Sequence, residues 1–124
     1  MKTDTDKHIE LANWAAACAE HVLFIFEEYA PADLRPRKAI EAANAWICKQ
    51  ISVSQARKAA FAAHAAARSV ENIRAKAAAR SAGHAAATAH VAAHANHAAS
   101  YALKASENKE DEKNWQTAKR IKED

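Results

Sequence analysis

The stretch from Phe61 to Tyr101 is mostly alanine, with histidines set into it at helical spacing. Alanine is the strongest helix former because its side chain loses no rotamer entropy when the backbone becomes helical. Its methyl group also lets helix backbones approach closely, so such a core depends on backbone proximity rather than on large aliphatic side chains. One glycine and two prolines in the whole chain are too little turn material for a β-rich fold. This pattern predicts an all-α protein.

Hydrophobic spacing and breaker residues divide the 124 residues into five or six helices of a single compact bundle with an alanine-rich core, one domain over 1–124. Pro31 ends the first helix, and Pro36 suits the first turn of the second. Ser52 and Gln55 have the spacing of a capping box for the third helix. The predicted helices cover about 6–29, 36–49, 53–69, 73–91, 93–106 and 114–121. Trp46 and Trp115 are expected to be buried anchors of this bundle.

Charge and composition exclude several classes of protein. The formal net charge of +3 is a weak basic bias, which disfavours nucleic acid as a partner. The longest strongly apolar run, 22–26, is too short to span a bilayer, and the first ten residues lack the apolar segment of a signal peptide. Cys18 and Cys48 are expected to be reduced, largely buried thiols. We therefore expect a cytoplasmic protein without a membrane-spanning segment, and no cofactor is indicated.

Three histidines raise the question of a metal site. His90, His94 and His97 are spaced i, i+4 and i+7, so they would share one face if the helix continued through Ala92. Imidazole pairs at this spacing can bind Zn²⁺. No acidic residue lies between Glu71 and Glu107 to complete a site, and the H-E-x-x-H pattern is absent. Hydrogen-bonded structural histidines are therefore favoured over metal ligands.

A polar cluster is a second interpretation of the same half of the chain. His64 and Arg68 are one helical turn apart and could act together on a carboxylate, for which Asp33 is the natural candidate. We expect these residues, with His84 and His90, to form a connected and mostly buried network. A solvated surface face with ordinary charges is the alternative. No nucleophile, base and oxyanion-hole set can be assembled, and no glycine-rich loop is present, so an enzyme is disfavoured.

The chain resembles a family of small all-helical immunity proteins of bacterial polymorphic toxin systems, the immunity protein 5-like group. The more specific matches are the strings D-L-R-P, followed by A-W, and G-H-A-A-A-T-A-H-V. These strings contain several of the candidate residues. One departure is Ala92, since members often carry a proline directly after the valine that matches Val91. The matching pieces run in the expected order over roughly 30–116, and they are Asp33-Leu34-Arg35-Pro36, Ala45-Trp46, Ala56-Arg57, Phe61 to Arg68, Ala82 to Val91, His94-Ala95, Tyr101-Ala102 and Trp115-Gln116.

The resemblance implies a cytoplasmic protein that binds and neutralises a cognate toxin by protein–protein interaction, with no catalysis of its own. The slightly basic charge disfavours a nuclease as that toxin, because nuclease inhibitors often present an acidic surface. A nucleic-acid-associated helical protein and a histidine-rich metal-binding protein remain as alternatives. The residues assigned to the polar cluster or to partner binding are Asp33, Arg35, Trp46, His64, Arg68, His84, His90 and His94.

Overall fold

The protein is a bundle of α-helices in the computed structural model, which describes the backbone of residues 1–123 and the side chains of residues 1–120. No β-strand occurs within the described backbone, so the all-α prediction is confirmed. The helices are α1 (Asp4–Tyr29), α2 (Arg35–Ile47), α3 (Val53–Arg68), α4 (Ile73–Ala87), α5 (His94–Ala105) and α6 (Lys109–Glu123).

Local capping sets several helix ends. The predicted capping box forms at α3, where the Ser52 side chain accepts a hydrogen bond from the Gln55 amide and the Gln55 side chain accepts one from the Ser52 amide. Asn72 caps α4 by accepting a hydrogen bond from the Ala75 amide. The end of α2 differs from these helix starts. Two residues after the helix ends, Lys49 adopts the left-handed backbone conformation, with φ of 61°, that glycine usually supplies there.

Helix α4 lies at the centre of the bundle and packs against α1, α2, α3 and α5. Its alanines at 75, 78, 79, 82, 85 and 86 are all buried without exposed surface. Large buried side chains come mostly from α1, including Leu23 and Phe26. The core is therefore an alanine-rich central helix packed against α1, which carries most of the large aliphatic and aromatic side chains.

Helix α1 is long and apolar enough to cross a membrane, by length and composition alone. Its most apolar window of 18 residues has a mean hydropathy of 1.3, and 56% of that window is buried inside the bundle. Core helices of bundles have the same property, so this is weak evidence for a membrane span.

Helix α6 is held to α1 and α5 by polar contacts around Gln116. The Trp14 indole N–H donates to the Gln116 carbonyl at 3.0 Å, and the Gln116 side-chain amide donates to the Ala99 carbonyl at 2.9 Å. The His21 and Trp115 rings stack with their centroids 3.7 Å apart. These contacts give the C-terminal helix a fixed position although most of its other side chains are polar.

The sequence-based ranges need two corrections. The predicted start of the last helix near residue 114 is wrong, since α6 already begins at Lys109. The carboxylates of Glu110, Asp111 and Glu112 in its first turn interact favourably with the positive end of the helix dipole. The fourth helix ends at Ala87 rather than near Val91, and residues 88–93 form turns before α5.

Three burial predictions also need correction. Trp46 and Trp115 are only partly buried, and Trp14 is the tryptophan in the core, with 9% of its surface exposed. Cys18 is buried as predicted, whereas Cys48 is exposed beyond the end of α2. Neither cysteine is part of a disulfide. Trp46 is not in the core because Ile40 and the alanines fill the core side of α2. Its side chain lies at the edge of the bundle, beside His8.

Candidate functional site

Four histidine side chains from three helices meet at one end of α4. His64 of α3 contacts His84 of α4, with ring centroids 4.9 Å apart. His84 also lies 5.1 Å from both His94 and His97, the two histidines of the first turns of α5. His84 is therefore the centre of this histidine cluster, which consists of His64, His84, His94 and His97.

The single glycine of the chain makes room for the cluster. Gly83 lies inside α4, where glycine is about 1 kcal/mol less favourable than alanine. A Cβ atom at this position would come within 2.7 Å of both Cε1 and Nε2 of the His64 ring. The imidazole of α3 thus packs directly on the bare backbone of α4, and any larger residue at position 83 would displace it.

Hydrogen bonds fix the protonation pattern of the cluster. The Arg80 guanidinium donates from Nη1 to Nδ1 of His64 at 3.1 Å, so this nitrogen carries no proton and His64 is neutral. The Nδ1 atoms of His84 and His94 are 2.9 Å apart, so one of them donates and the other accepts. The rings therefore form a chain of neutral imidazoles that begins at a permanent cation.

Burial disfavours the charged form of His64, His84 and His94. It lowers the pKa of His64 to about 4, and the charges of Arg80 and Arg68 act in the same direction. Burial lowers the pKa of His84 to about 3, with further lowering by the neighbouring histidines. The pKa of His94 is lowered as well, first by burial and then by His97 and His90. No carboxylate counteracts these shifts, so a proton on His64, His84 or His94 would lack a negatively charged neighbour.

The cluster continues to the surface through Tyr101. The rings of His84 and Tyr101 are nearly parallel, with an interplanar angle of 8° and centroids 5.3 Å apart. The Lys104 ammonium lies 4.6 Å from the centre of the same tyrosine ring, within the range of a cation–π contact. Tyr101 therefore contacts both an imidazole and a cation.

A small apolar cavity opens on the α3 side of the cluster. It has a volume of about 130 Å³ and is lined by Phe61, His64, His90 and His94, among others. Phe61 is 64% exposed, and the Arg57 guanidinium lies 5.9 Å from its ring centre. Exposed aromatic and arginine side chains are the residue types enriched in protein–protein interfaces.

A family model described as "Imm-5 like putative immunity protein" matches residues 1–124. The chain belongs to this family of immunity proteins. No curated protein and no solved structure matches the chain. The family match covers the whole bundle, so the histidine cluster and its surface are parts of an immunity-family protein.

The structure brings together only some of the residues that the sequence suggested for a polar cluster. His64, His84 and His94 are in contact, and His90 lies beside them on the cavity wall. Asp33 lies elsewhere and forms a two-point ion pair with Arg35, with nitrogen–oxygen distances of 2.9 and 2.7 Å. Asp33 is therefore not the carboxylate partner of His64, because a closer guanidinium two residues away takes both of its oxygens.

Arg68 and Trp46 also differ from their expected roles. Arg68 is exposed at the end of α3, and the arginine bonded to His64 is Arg80 of α4 instead. Trp46 packs against His8, with ring centroids 4.9 Å apart, and lies outside the histidine cluster. The arginine was misassigned because helical spacing shows neighbours on one helix, whereas Arg80 reaches His64 from the adjacent helix.

The alternative of three metal ligands on one continuous helix is not what the structure shows. His90 lies in the turn between α4 and α5, and His94 is the first residue of α5. Within the side chains described, no group of three or more histidine, cysteine, aspartate or glutamate residues is arranged to hold a metal ion. Instead, Nδ1 of His84 and Nδ1 of His94 bond to each other, and Nδ1 of His64 bonds to Arg80.

Sequence reasoning missed Arg80, Gly83 and Tyr101 as parts of this site. Gly83 carried a usable signal, since a lone glycine inside a helix pattern often marks a close approach of another group. Arg80 and Gly83 lie four residues and one residue before His84, on the helix that carries the centre of the cluster. Tyr101 stood out only as part of a family match, because one aromatic residue on a helix is usually part of the core.

Proposed function

We propose that this protein binds a cognate bacterial toxin and neutralises it through direct protein–protein contact, without catalysis of its own. The observation that carries the proposal is the family match over residues 1–124. The exposed Phe61 and the partly buried Tyr101 on the α3–α5 side support it, since such residues contribute most of the binding energy in protein interfaces.

We also propose that the interaction takes place in the cytoplasm. The exposed thiol of Cys48 supports this location, because thiols persist in reducing compartments. Treating intact cells with a thiol reagent that does not cross the membrane should leave Cys48 unlabelled. Labelling in intact cells as fast as in lysed cells would contradict this location.

The experiment that tests the proposed function pairs this protein with a candidate toxin, the product of a gene adjacent to its own. Toxin expression alone should stop bacterial growth, and co-expression of this protein should restore it. The purified proteins should elute as one complex, and toxin activity should fall in proportion to added protein until the two are equimolar. Binding by simple contact requires this stoichiometry, whereas a catalytic protein would protect when far less than equimolar.

Two results would refute the proposal. Toxin activity that is unaffected by an excess of the purified protein would remove the neutralising role. If far less than one molecule of this protein per toxin molecule abolished toxin activity and released a chemically altered toxin, the protein would act by catalysis rather than by contact. A version of the protein unfolded by heat serves as the control for non-specific protection.

A further inference from the structure

Positive charge is concentrated in one part of the bundle. Between Ala42 and Ser106 the chain has eight lysine and arginine residues but a single acidic residue, Glu71. In the rest of the chain acidic residues outnumber basic ones. The weak net charge of +3 therefore conceals a strong asymmetry, with the cations on α3, α4 and α5 and on the turn after α2.

The cations of α4 and α5 line a shared groove. It has a volume of about 420 Å³, and no acidic residue contributes to its lining. Ile73, which is 80% exposed, adds an apolar surface to the lining of the groove. This α4–α5 groove is lined by Ile73, Lys76, Arg80, Tyr101, Lys104 and Lys109.

The groove cations differ from other cations of the protein in their partners. Arg37 of α2 forms a two-point ion pair with Glu27, at 2.9 and 3.0 Å, and Arg35 is paired with Asp33. Among the side chains described, none of the four groove cations forms an ion pair with a carboxylate. Four unpaired cations around one concave surface create a positive potential that would favour a negatively charged occupant.

Two of the groove residues are already fixed in position. The Arg80 guanidinium is oriented by its hydrogen bond to His64, which uses only one of its five N–H groups. The Tyr101 ring contacts both the His84 ring and the Lys104 ammonium. The side chains of Arg80 and Tyr101 would lose little conformational entropy when a partner binds, because the histidine cluster has already ordered them.

We propose that the α4–α5 groove is a docking site for an acidic surface of the cognate toxin. Carboxylates of the toxin bind Arg80, Lys76 and Lys104, and an apolar side chain next to them packs against Ile73 and Tyr101. The identity of the occupant as a toxin rests on the proposed function, whereas its acidic chemistry rests on the groove itself.

An acidic polypeptide fits the groove better than a nucleic acid does. The cations fill one pocket of the surface, and the acidic first turn of α6, from Glu110 to Glu112, begins directly after Lys109. A phosphate backbone would need a longer basic stripe for a stable contact, since its affinity depends on the number of phosphates that cations neutralise. A short acidic segment needs only the four cations of the groove.

The groove is tested first with peptides and the full-length protein. Fluorescent deca-glutamate, deca-glutamine and a short DNA duplex are titrated at about 0.1 M salt, where the Debye length is about 10 Å. We expect deca-glutamate to bind and deca-glutamine not to bind. The variant Lys76→Glu/Lys104→Glu should weaken deca-glutamate binding at least about tenfold, a change typical of lost charge complementarity.

The matched control is Lys38→Glu/Lys113→Glu, which changes the net charge equally but alters two exposed lysines outside the groove. It should retain most of the deca-glutamate affinity. Equal losses in both double variants would overturn the proposal, since the effect would then be one of overall charge. Tighter binding of the DNA duplex than of deca-glutamate, lost in the groove variant, would also overturn it in favour of nucleic acid.

The same variants in the toxin assay separate this proposal from the proposed function. If the wild-type protein neutralises the toxin and the groove variant, folded by circular dichroism, neutralises it equally well, the docking site is wrong and the function stands. If the wild-type protein fails to neutralise the toxin but binds deca-glutamate through the groove, the function is wrong and the acidic docking site stands. A groove variant that folds, no longer binds the toxin and contrasts with an active control variant supports both.

Discussion

Gly83 offers the sharpest test of the histidine cluster. The substitution Gly83→Ala places a Cβ atom 2.7 Å from two atoms of the His64 ring, whereas carbon atoms in ordinary contact are about 3.5–4.0 Å apart. The ring must therefore move by about 1 Å or more and would weaken its hydrogen bond with Arg80. A hydrogen bond to a charged group contributes about 1.5–3 kcal/mol, so a loss toward the lower figure is expected for this partly exposed pair.

The opposing effect of the substitution is helix propensity. Alanine in place of glycine inside α4 should stabilise the protein by about 1 kcal/mol when nothing else changes. We expect this gain in full when His64 is first replaced by alanine, because the clash is then gone. In the wild-type background, Gly83→Ala should be neutral or destabilising by up to about 2 kcal/mol. The two backgrounds should differ by at least about 1 kcal/mol.

Urea denaturation of the four proteins of this double-mutant cycle measures the difference directly. Circular dichroism confirms that each variant is helical before its stability is compared. If Gly83→Ala stabilises both backgrounds equally, within the roughly 0.5 kcal/mol expected for independent sites, His64 does not pack on Gly83 and the seating of the cluster is wrong.

Three further predictions concern stability. Because the pKa of His64 is lowered to about 4 and that of His84 to about 3, the unfolded chain, whose histidines titrate near 6.5, binds more protons at mildly acidic pH than the folded protein. The free energy of unfolding should therefore fall as the pH drops below about 6.5. The expected decrease between pH 7.5 and pH 5 is about 2–4 kcal/mol, after allowance for partial solvent screening. Equal urea midpoints at the two pH values would contradict this prediction. Trp14→Ala should destabilise by about 3–5 kcal/mol and Trp46→Ala by distinctly less, since only Trp14 is in the core, and equal losses in urea denaturation would refute that ranking. Gln116→Ala should destabilise by about 1–1.5 kcal/mol, because α6 loses its hydrogen bond to the Ala99 carbonyl of α5. The exposed control Thr117→Ala should stay within about 0.5 kcal/mol, and a Gln116→Ala loss no larger than that of the control would argue against this docking contact.

The helices were predictable where their ends depend on neighbouring residues. Ser52 with Gln55 and Asn72 satisfy the free amides of their own helices, so a few consecutive residues determine the start of α3 and of α4. The end of α4 was not predictable in this way. Its following turn includes Thr88, whose carbonyl accepts a hydrogen bond from Nε2 of His8, a residue 80 positions earlier in the chain.

The candidate site was predictable only in part, for a related reason. The sequence identified the histidines as the distinctive polar groups of an alanine-rich half, and the structure brings three of the predicted ones into contact. It did not reveal which cation or carboxylate each would meet. Asp33 forms an ion pair with Arg35, two residues away, whereas His64 forms a hydrogen bond with Arg80 across a helix interface. Partners across an interface depend on how the helices pack, and one sequence does not record that packing.

An alanine core explains why a polar cluster and a glycine occur together at this place. Alanine surfaces interlock weakly, so α3 and α4 could slide past each other with little change in buried area. The His64 ring prevents this, because it fits against α4 only where Gly83 leaves the backbone bare. The same ring orients Arg80, which lines the α4–α5 groove. Helix register and the position of the groove cation are therefore fixed by a single contact, so displacing His64 should weaken binding of an acidic partner even in a variant that remains fully folded.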